Sequence, residues 1–365
     1  MIDALFINPN SASAYQKLAN IYSAIEPPTW CLLLAQSCLS KGYKVEILDA
    51  DALRLNDDLA AKTAIEHNAK ILCFVVYGQN PNSGTTSMIG AYSLAKKIKE
   101  IQPDQKICFV GSHASALPEE VISKSYIDFV LANEGVYGIQ DLIKSNFKDL
   151  HNCSSLVYKD DEKNILYSKK INIVSQENLD RDLPGYNWEL LPKNQKVLDK
   201  YRAHYWHSYF SEKDRTPFAA IYSSLGCQFG CNFCMINILN RNNFEKNFSA
   251  ANYKGMRHWS PEFFLNEIDK LVNYGVKTIR LSDEMFFLNK KFYIPILEGI
   301  IKRGYNLNMW AYARVDTVRE DQLELFKRAG INWLALGIEA GNTNIRTEIE
   351  KGKFKDINIR DIVKT

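Results

Sequence analysis

Short apolar runs alternate with helical stretches over the first 150 residues of the chain. Residues in the runs are mostly β-branched, aromatic or leucine, and both alternating faces are apolar, which is typical of strands buried on both sides of a parallel sheet. Helical segments lie between them, including one over about residues 30–40 and another over about residues 86–100. The pattern predicts an α/β fold with a doubly wound, flavodoxin-like parallel sheet, whose ligand site lies beyond the carboxyl ends of the strands. The predicted strands are 4–8, 45–49, 71–76, 107–110 and 129–132.

Residues 151–215 have a different pattern. Two β-like runs, 155–158 and 165–167, flank the charged stretch 159–163, which indicates a hairpin. From about residue 175 to 214 the chain is irregular, polar and aromatic, and we interpret it as a linker between two domains.

A second alternating series occupies residues 216–365. Ser260 followed by Pro261 predicts the start of a helix, and Gly304 and Gly330 are suited to the left-handed positions that follow helix ends. The predicted strands are 218–223, 278–282, 307–312 and 333–338. This series predicts a second α/β domain.

The composition is that of an ordinary globular protein, with 46% hydrophobic and 24% charged residues. A formal net charge of +3 gives no reason to expect a nucleic-acid partner. We find no apolar run long enough for a membrane span and no leader sequence, so we expect a cytoplasmic protein. The cysteines outside one short cluster favour buried apolar packing over disulfides: Cys31, Cys38, Cys73, Cys108 and Cys153.

The remaining three cysteines, Cys227, Cys231 and Cys234, form a C-x3-C-x2-C loop after a predicted strand. Thiolates are the usual protein ligands of iron-sulfur clusters, and this spacing lets one short loop reach three corners of a cubane. Gly226 and Gly230 would relieve crowding of the backbone beside such a cluster. The fourth iron would have no protein ligand, so it could chelate the amino and carboxylate groups of a methionine moiety.

Two other interpretations of the cysteine loop are zinc binding and a purely structural role. Structural zinc sites have four protein ligands. The nearest downstream candidate for a fourth ligand is His258, and its spacing fits no familiar zinc pattern.

The cysteine loop resembles the signature of the radical S-adenosylmethionine (SAM) enzymes. Other segments resemble the cobalamin-binding subgroup of that superfamily, and the resemblance extends over nearly the whole chain: residues 27–28, 111–120, 133–135, 183–184, 310–316 and 336–341. It implies a cobalamin-binding domain over residues 1–150, a hairpin and linker over 151–215, and a partial (βα) radical SAM barrel over 216–365.

The resemblance also implies residue functions. Cys227, Cys231 and Cys234 would bind a 4Fe-4S cluster. The residues expected to contact the cluster or SAM are Phe233, Asp283, Glu284, Arg314 and Glu339, with Glu339 as the catalytic candidate. The residues expected to hold cobalamin are Asn8, Gly78, Gln79, Ser112, His113, Glu134 and Gly135.

Several of these residues also have simpler structural interpretations. One of Asp283 and Glu284 could cap a helix, Arg314 could form an ion pair with Asp316, and Phe233 could be core.

The chain departs from the subgroup pattern in three respects. The D-x-H-x-x-G motif that supplies a histidine ligand to cobalt is absent after the first strand, so cobalamin is expected to bind without one. Residues 133–136 read Asn-Glu-Gly-Val where Gly-Glu-Gly-Glu is commoner. Four barrel strands are predicted where six are usual, so we expect a chain truncated at its carboxyl end.

The resemblance implies cobalamin-dependent methylation of an unactivated carbon in a small molecule, with electrons from a donor such as flavodoxin or ferredoxin. Two alternatives remain. One is a radical SAM rearrangement, dehydrogenation or cyclisation without methyl transfer. The other is a non-catalytic fragment that binds cobalamin or a cluster. The aromatic segment 201–209 could line a substrate pocket or pack between domains.

Overall fold

The computed structural model of the chain describes residues 1–10, 21–77, 83–349 and 358–364. A seven-stranded sheet forms the first half, in the order β2-β1-β3-β4-β5-β6-β7. The first five strands are parallel and the last two are antiparallel. Its strands are β1 (Ile2–Asn8), β2 (Val45–Asp49), β3 (Ala69–Val76), β4 (Lys106–Gly111), β5 (Phe129–Leu131), β6 (Leu156–Lys159) and β7 (Ile165–Tyr167). The first five strands confirm the predicted doubly wound, flavodoxin-like parallel sheet, and the predicted hairpin extends it as β6 and β7.

Helices cover both faces of this sheet: α1 (Thr29–Ser40), α2 (Asp57–Glu66), α3 (Gly84–Ile101), α4 (Ser112–Ala116), α5 (Pro118–Ile122) and α6 (Val136–Ser145). Phe6 of β1 belongs to the apolar core on the side of α1 and α6. Its neighbour Leu5 belongs to the core on the side of α2 and α3. Because successive side chains of a strand point to opposite faces, the doubly apolar runs of the sequence fill two separate cores.

The segment that follows the sheet is irregular, as predicted, but it is closely packed. It contains the short helix α7 (Leu179–Asp182) and several 3-10 turns. Leu183, Trp188, Leu198 and Tyr201 are buried there and share one apolar core with side chains of both halves of the chain. The segment therefore joins the two halves through a common core. Among the described residues, 3-10 helices lie at Leu150–Asn152, Gln176–Asn178, Trp188–Leu190, Glu212–Asp214, Ile236–Asn240, Ala250–Tyr253 and Phe286–Leu288.

The second half contains a four-stranded parallel sheet, in the order β13-β12-β11-β8, and a two-stranded antiparallel hairpin, β9-β10. The strands are β8 (Phe218–Ile221), β9 (Ser224–Cys227), β10 (Gly255–His258), β11 (Thr278–Leu281), β12 (Asn308–Arg314) and β13 (Ile331–Gly337). The helices are α8 (Pro261–Asn273), α9 (Lys290–Arg303), α10 (Glu320–Arg328), α11 (Thr343–Glu348) and α12 (Ile359–Lys364). No helix in the ranges that the structure describes is long and apolar enough to cross a membrane.

Local signals place the helices of this half. Ser260 caps α8 by accepting a hydrogen bond from the Phe263 amide, and Pro261 is its first residue, as predicted. Gly304 follows α9 with a left-handed φ of 66°. The strand predicted over 218–223 ends two residues early, at Ile221, and the strand β9, which begins at Ser224, was not predicted.

Candidate active site

The cysteine loop and the carboxyl ends of the barrel strands surround one cavity of about 300 Å³. The cavity is lined by seven of the residues that the sequence singled out: Cys227, Cys231, Cys234, Phe233, Glu284, Arg314 and Glu339. Three thiols therefore lie at one side of a space that also presents two carboxylates and a guanidinium. Phe233 is half-exposed at this site.

A short network of hydrogen bonds shapes the cysteine loop. Cys227 ends β9, and its amide donates to Asn237 Oδ1 at 2.9 Å. Asn237 Nδ2 in turn donates to the Phe229 carbonyl at 2.9 Å. Gly226 has a φ of 84°, and a Cβ there would lie 2.2 Å from the Gly255 carbonyl oxygen, so only glycine fits. Burial raises the pKa of the Cys227 thiol to about 12, so a metal that binds there would displace a proton.

The donor set suits an iron-sulfur cluster better than zinc. In the described ranges, no three His, Cys, Asp or Glu side chains are grouped so that they could hold one metal ion. The zinc candidate His258 packs its ring on Phe292, with ring centroids 4.4 Å apart. The three thiols line one cavity, as a cubane held by three thiolates with one open iron requires.

Asp283 does not line this cavity. Its buried carboxylate accepts hydrogen bonds from the Ser223 amide at 3.0 and 3.1 Å, from Ser223 Oγ at 2.8 Å and from Ser224 Oγ at 2.5 Å. Burial raises the pKa of Asp283. These bonds fix the turn between β8 and β9, which explains why β8 ends before residue 223. Glu284, the next residue, lines the cavity instead.

Arg314 forms the ion pair considered for it and also lines the cavity. Its Nε and Nη2 atoms donate to the two carboxylate oxygens of Asp316, each at 2.9 Å, in a bidentate ion pair. Its guanidinium also lies 3.8 Å above the Phe229 ring and lines the cavity. The ion pair holds the guanidinium plane in place at the cavity wall.

Glu339 lies two residues beyond β13 with a left-handed φ of 63°. Non-glycine residues rarely adopt this conformation unless surrounding contacts enforce it. Arg346 supplies such contacts, since its Nη1 donates to the carbonyls of Ala340 at 2.6 Å and Gly341 at 3.0 Å. Sequence reasoning missed Arg346, and the only local signal was Asn342, which caps the following helix α11.

Near the loops predicted to hold cobalamin, the ends of β3 and β4 approach each other closely. A Cβ on Gly111 would lie 2.2 Å from the Val76 carbonyl oxygen, and a Cβ on Gly84 would lie 2.3 Å from Ser112 Oγ. Ser112 Oγ is buried and has no hydrogen-bond partner among the residues that the structure describes. Such a hydroxyl, buried at the carboxyl edge of a parallel sheet, is suited to hydrogen-bond a bound ligand.

Other residues predicted to hold cobalamin bond within the protein. Asn8 Nδ2 donates to Asp49 Oδ1 at 2.8 Å, and His113 Nδ1 lies 3.2 Å from Thr85 Oγ1. Glu134 is fully buried in an ion pair with an arginine of the second half. Gly135 has a φ of 74° and precedes α6. Gly78 and Gln79 lie outside the described residues.

Comparison with protein families matches each half separately. Residues 18–143 match the B12 binding domain family, and residues 221–363 match the radical SAM superfamily. The chain therefore combines a match to a B12 binding domain with a match to a radical SAM domain. This confirms the family resemblance, and the cluster, SAM and cobalamin expected for the chain follow from the two domains.

Two curated relatives match most of this chain. The first is "Uncharacterized methyltransferase PH0819" of Pyrococcus horikoshii, 28% identical over 99% of this chain and 70% of the relative. The second is "Anaerobic magnesium-protoporphyrin IX monomethyl ester cyclase" of Synechocystis, 26% identical over 89% of this chain and 59% of the relative. The chain thus spans about three-fifths to seven-tenths of their lengths.

Solved structures confirm the fold. The cobalamin-dependent SAM radical enzyme OxsB with aqua-cobalamin bound superposes with a TM-score of 0.67 and 16% identity, covering 97% of this chain and 46% of OxsB. The radical SAM methyltransferase TsrM of Kitasatospora setae, with cobalamin and a 4Fe-4S cluster bound, gives a TM-score of 0.65 and 13% identity, covering 94% of this chain and 60% of TsrM. Both halves of the chain are thus arranged as in B12-binding radical SAM proteins.

Proposed function

We propose that this protein methylates an unactivated carbon of a small molecule, using a 4Fe-4S cluster, SAM and cobalamin. The observation that carries the proposal is the single cavity in which Cys227, Cys231 and Cys234 face Glu284, Arg314 and Glu339. The match of the first half to the B12 binding domain and the first curated relative, described as a methyltransferase, add support.

When bound, the cluster supplies the electron that cleaves SAM, and cobalamin supplies the methyl group. The protein's own contribution is placement and exclusion of water. Cys227, already buried at the end of β9, anchors the cluster side of the cavity. The partly exposed Cys231 and Cys234 complete the ligand set.

The charged side chains complement the parts of SAM. SAM carries an ammonium, a carboxylate and a sulfonium group. Glu284 would accept from the ammonium and Arg314 would pair with the carboxylate, because a guanidinium fixed by Asp316 is already oriented for a planar anion. Glu339 would contact SAM from the loop held by Arg346.

A second candidate function is a cyclisation or another radical reaction without methyl transfer. The relative described as a magnesium-protoporphyrin IX monomethyl ester cyclase favours it, since it matches 89% of this chain. In that case SAM would be consumed only by reductive cleavage.

The two candidates differ in their SAM products. Protein reconstituted anaerobically with iron, sulfide and hydroxocobalamin would be incubated with SAM and dithionite. We expect both 5′-deoxyadenosine and S-adenosylhomocysteine, because methyl transfer requires a second use of SAM. Cleavage without S-adenosylhomocysteine would favour the second candidate. Cys234→Ala should form no 5′-deoxyadenosine. The matched control is Cys153→Ala, at a buried cysteine outside the loop, which should form as much as the unmodified protein.

Absence of 5′-deoxyadenosine from the unmodified protein, despite full cluster loading, would contradict both candidates. We propose flavodoxin or ferredoxin as the physiological electron donor. Replacement of dithionite by either reduced protein in the same assay tests this, and we expect 5′-deoxyadenosine to form.

A further inference from the structure

Two buried arginines of the second half reach into the loops of the B12-binding half. The first is Arg257 in β10, which is 6% exposed. Its Nη1 donates to Glu134 Oε2 at 2.8 Å and to the Val174 carbonyl at 2.6 Å. Its Nη2 donates to Asn240 Oδ1 at 3.0 Å. The other oxygen of Glu134 accepts from the Val174 amide, so both oxygens of this carboxylate bond within the protein.

The second is Arg241, which is 2% exposed and follows the 3-10 helix Ile236–Asn240. Its Nη1 donates to the Ser115 carbonyl, in α4 of the B12-binding half. Its own carbonyl accepts from Asn133 Nδ2 at 3.1 Å. Its Nε and Nη2 hold the chain that follows, through the carbonyls of Asn243 and Glu245 at 2.9 and 2.8 Å.

The same short 3-10 helix also holds the cysteine loop. Asn237 accepts from the Cys227 amide and donates to the Phe229 carbonyl. Asn240 donates to the Gly255 carbonyl at 3.0 Å, and Gly255 pairs with Cys227 across the β9-β10 hairpin. A continuous set of bonds therefore runs from the cysteine loop to Arg241 and Arg257.

At its other end, this set of bonds reaches the loops predicted to hold cobalamin. Ser115 lies one helical turn beyond Ser112, whose buried hydroxyl has no partner in the described part of the chain. Glu134 precedes Gly135 at the start of α6. Both loops follow the carboxyl ends of strands β4 and β5, where a doubly wound sheet binds its ligand.

A buried ion pair contributes little net stability, because desolvation offsets the attraction between the charges. Its best-attested use is to specify one relative arrangement of the parts that it joins. Chemistry shared between two cofactors demands such an arrangement, because a displacement of about 1 Å can slow a reaction by roughly 10²-fold.

We infer that Arg257 and Arg241 are positioning residues that set the placement of the cobalamin loops relative to the cysteine loop. The reason for such positioning, chemistry shared between the two cofactors, rests on the proposed function. The bonds themselves belong to the protein without cofactors. We call the set of hydrogen-bonded residues that links the two loops the bracket: Asn133, Glu134, Asn237, Asn240, Arg241 and Arg257.

The experiment compares two variants of the bracket with one control. Glu134→Gln/Arg257→Met removes both charges together, so neither is left buried alone. Arg241→Lys keeps a charge that can reach Ser115 but cannot bond Asn243 and Glu245 as well. The control is Arg215→Met, because Arg215 is 1% exposed and bonds Ser23 and Ala203, outside both cofactor loops.

The first readout is hydrogen exchange of the protein without cofactors. We expect both bracket variants to exchange at least about tenfold faster in the peptides that contain residues 112–116 and 227–234, with the sheet strands unchanged. The Arg215→Met control should leave both peptides at their original rates. Unchanged exchange of both peptides in both bracket variants would overturn the inference, whether or not the proposed function holds.

The second readout is the magnetic interaction between bound cob(II)alamin and the reduced cluster in electron paramagnetic resonance. We expect a single distance in the unmodified protein and a broadened or shifted one in the bracket variants, with iron content within twofold. The ratio of S-adenosylhomocysteine to 5′-deoxyadenosine should fall at least fivefold. An unaltered interaction in both variants would refute the positioning function. Failure of the unmodified protein to bind cobalamin would instead count against the proposed function, while the exchange data would still decide the bracket.

Discussion

Replacement of Asp283 by Asn tests whether Asp283 shapes the site, in contrast to Glu284, which lines the cavity. The carboxylate accepts from the Ser223 amide and from the hydroxyls of Ser223 and Ser224. An Asn side chain keeps one oxygen and turns an NH2 group toward donors. At least one charge-assisted bond is lost, and one buried donor remains without an acceptor.

The expected cost follows from these contacts. A hydrogen bond to a charged group contributes roughly 1.5–3 kcal/mol, and an unsatisfied buried polar group costs about 1–3 kcal/mol. Burial of Asp283 raises its pKa, so desolvation of the carboxylate offsets part of that contribution. We expect Asp283→Asn to lower the free energy of unfolding by about 3 kcal/mol.

Urea unfolding of the protein without cofactors, followed by circular dichroism, measures this change. The matched control is Glu284→Gln at the neighbouring residue that lines the cavity, for which we expect a change within about 0.5 kcal/mol. After reconstitution, Glu284→Gln should bind SAM more weakly, and Asp283→Asn should lose cluster because the turn into β9 loosens. Equal stability of Asp283→Asn and the unmodified protein would refute the structural function that we assign to Asp283.

Four further substitutions have definite expected outcomes. Burial lowers the pKa of His207 to about 4, so its ring stays neutral in the folded protein while the unfolded chain takes up a proton below about pH 6.5. The original protein therefore loses stability as pH falls, and His207→Phe does not have this loss. Between pH 7 and pH 4, the free energy of unfolding of His207→Phe should rise relative to that of the original protein by on the order of 3 kcal/mol in urea unfolding. Burial raises the pKa of Asp49 to about 6, so the folded protein takes up a proton before the unfolded chain does, and the fold gains stability as pH falls from about 6 to 4. Asp49→Asn does not have this gain, so its free energy of unfolding should fall relative to that of the original protein over the same pH range. Glu339→Gln should reduce 5′-deoxyadenosine formation by about tenfold, roughly 1.4 kcal/mol, in single-turnover assays, and an unchanged rate would remove Glu339 from the site. Gly135→Ala puts a Cβ 2.6 Å from Val110 Cγ2 at a φ of 74°, so a loss of at least about 1 kcal/mol in unfolding is expected, and an equally stable variant would contradict the assigned backbone geometry.

The main strands could be predicted from the sequence because burial on both faces leaves continuous apolar runs. The hairpin β9-β10 could not, since each strand has four residues and the two contain Gly226, Cys227, Gly255 and His258, which are not typical strand formers. Its conformation depends on a hydrogen-bond partner, Asp283, about 60 residues away. Contacts of that range leave no periodic pattern.

The candidate site likewise has features that the sequence predicts and features that it does not. The cysteine spacing identifies its own chemistry, because three thiols within eight residues have few uses. The choice between Asp283 and Glu284 could not be made from the sequence, since adjacent carboxylates look alike until the backbone directs them to opposite sides. Glu134 was predicted to hold cobalamin, but its partner Arg257 is 123 residues further along the chain. The placement of Glu339 depends likewise on Arg346, which no motif marks.

The central claim is that Cys227, Cys231 and Cys234 hold a cluster whose open iron faces the SAM cavity. The most direct test is electron paramagnetic resonance of the anaerobically reconstituted, dithionite-reduced protein with and without SAM, alongside iron and sulfide analysis. We predict about four iron and four sulfide atoms per chain, a cluster signal that shifts on addition of SAM, and loss of both in the variant with all three cysteines replaced by Ala. A full complement of iron and sulfide in that triple variant, or a cluster signal in the unmodified protein that SAM leaves unchanged, would contradict the claim.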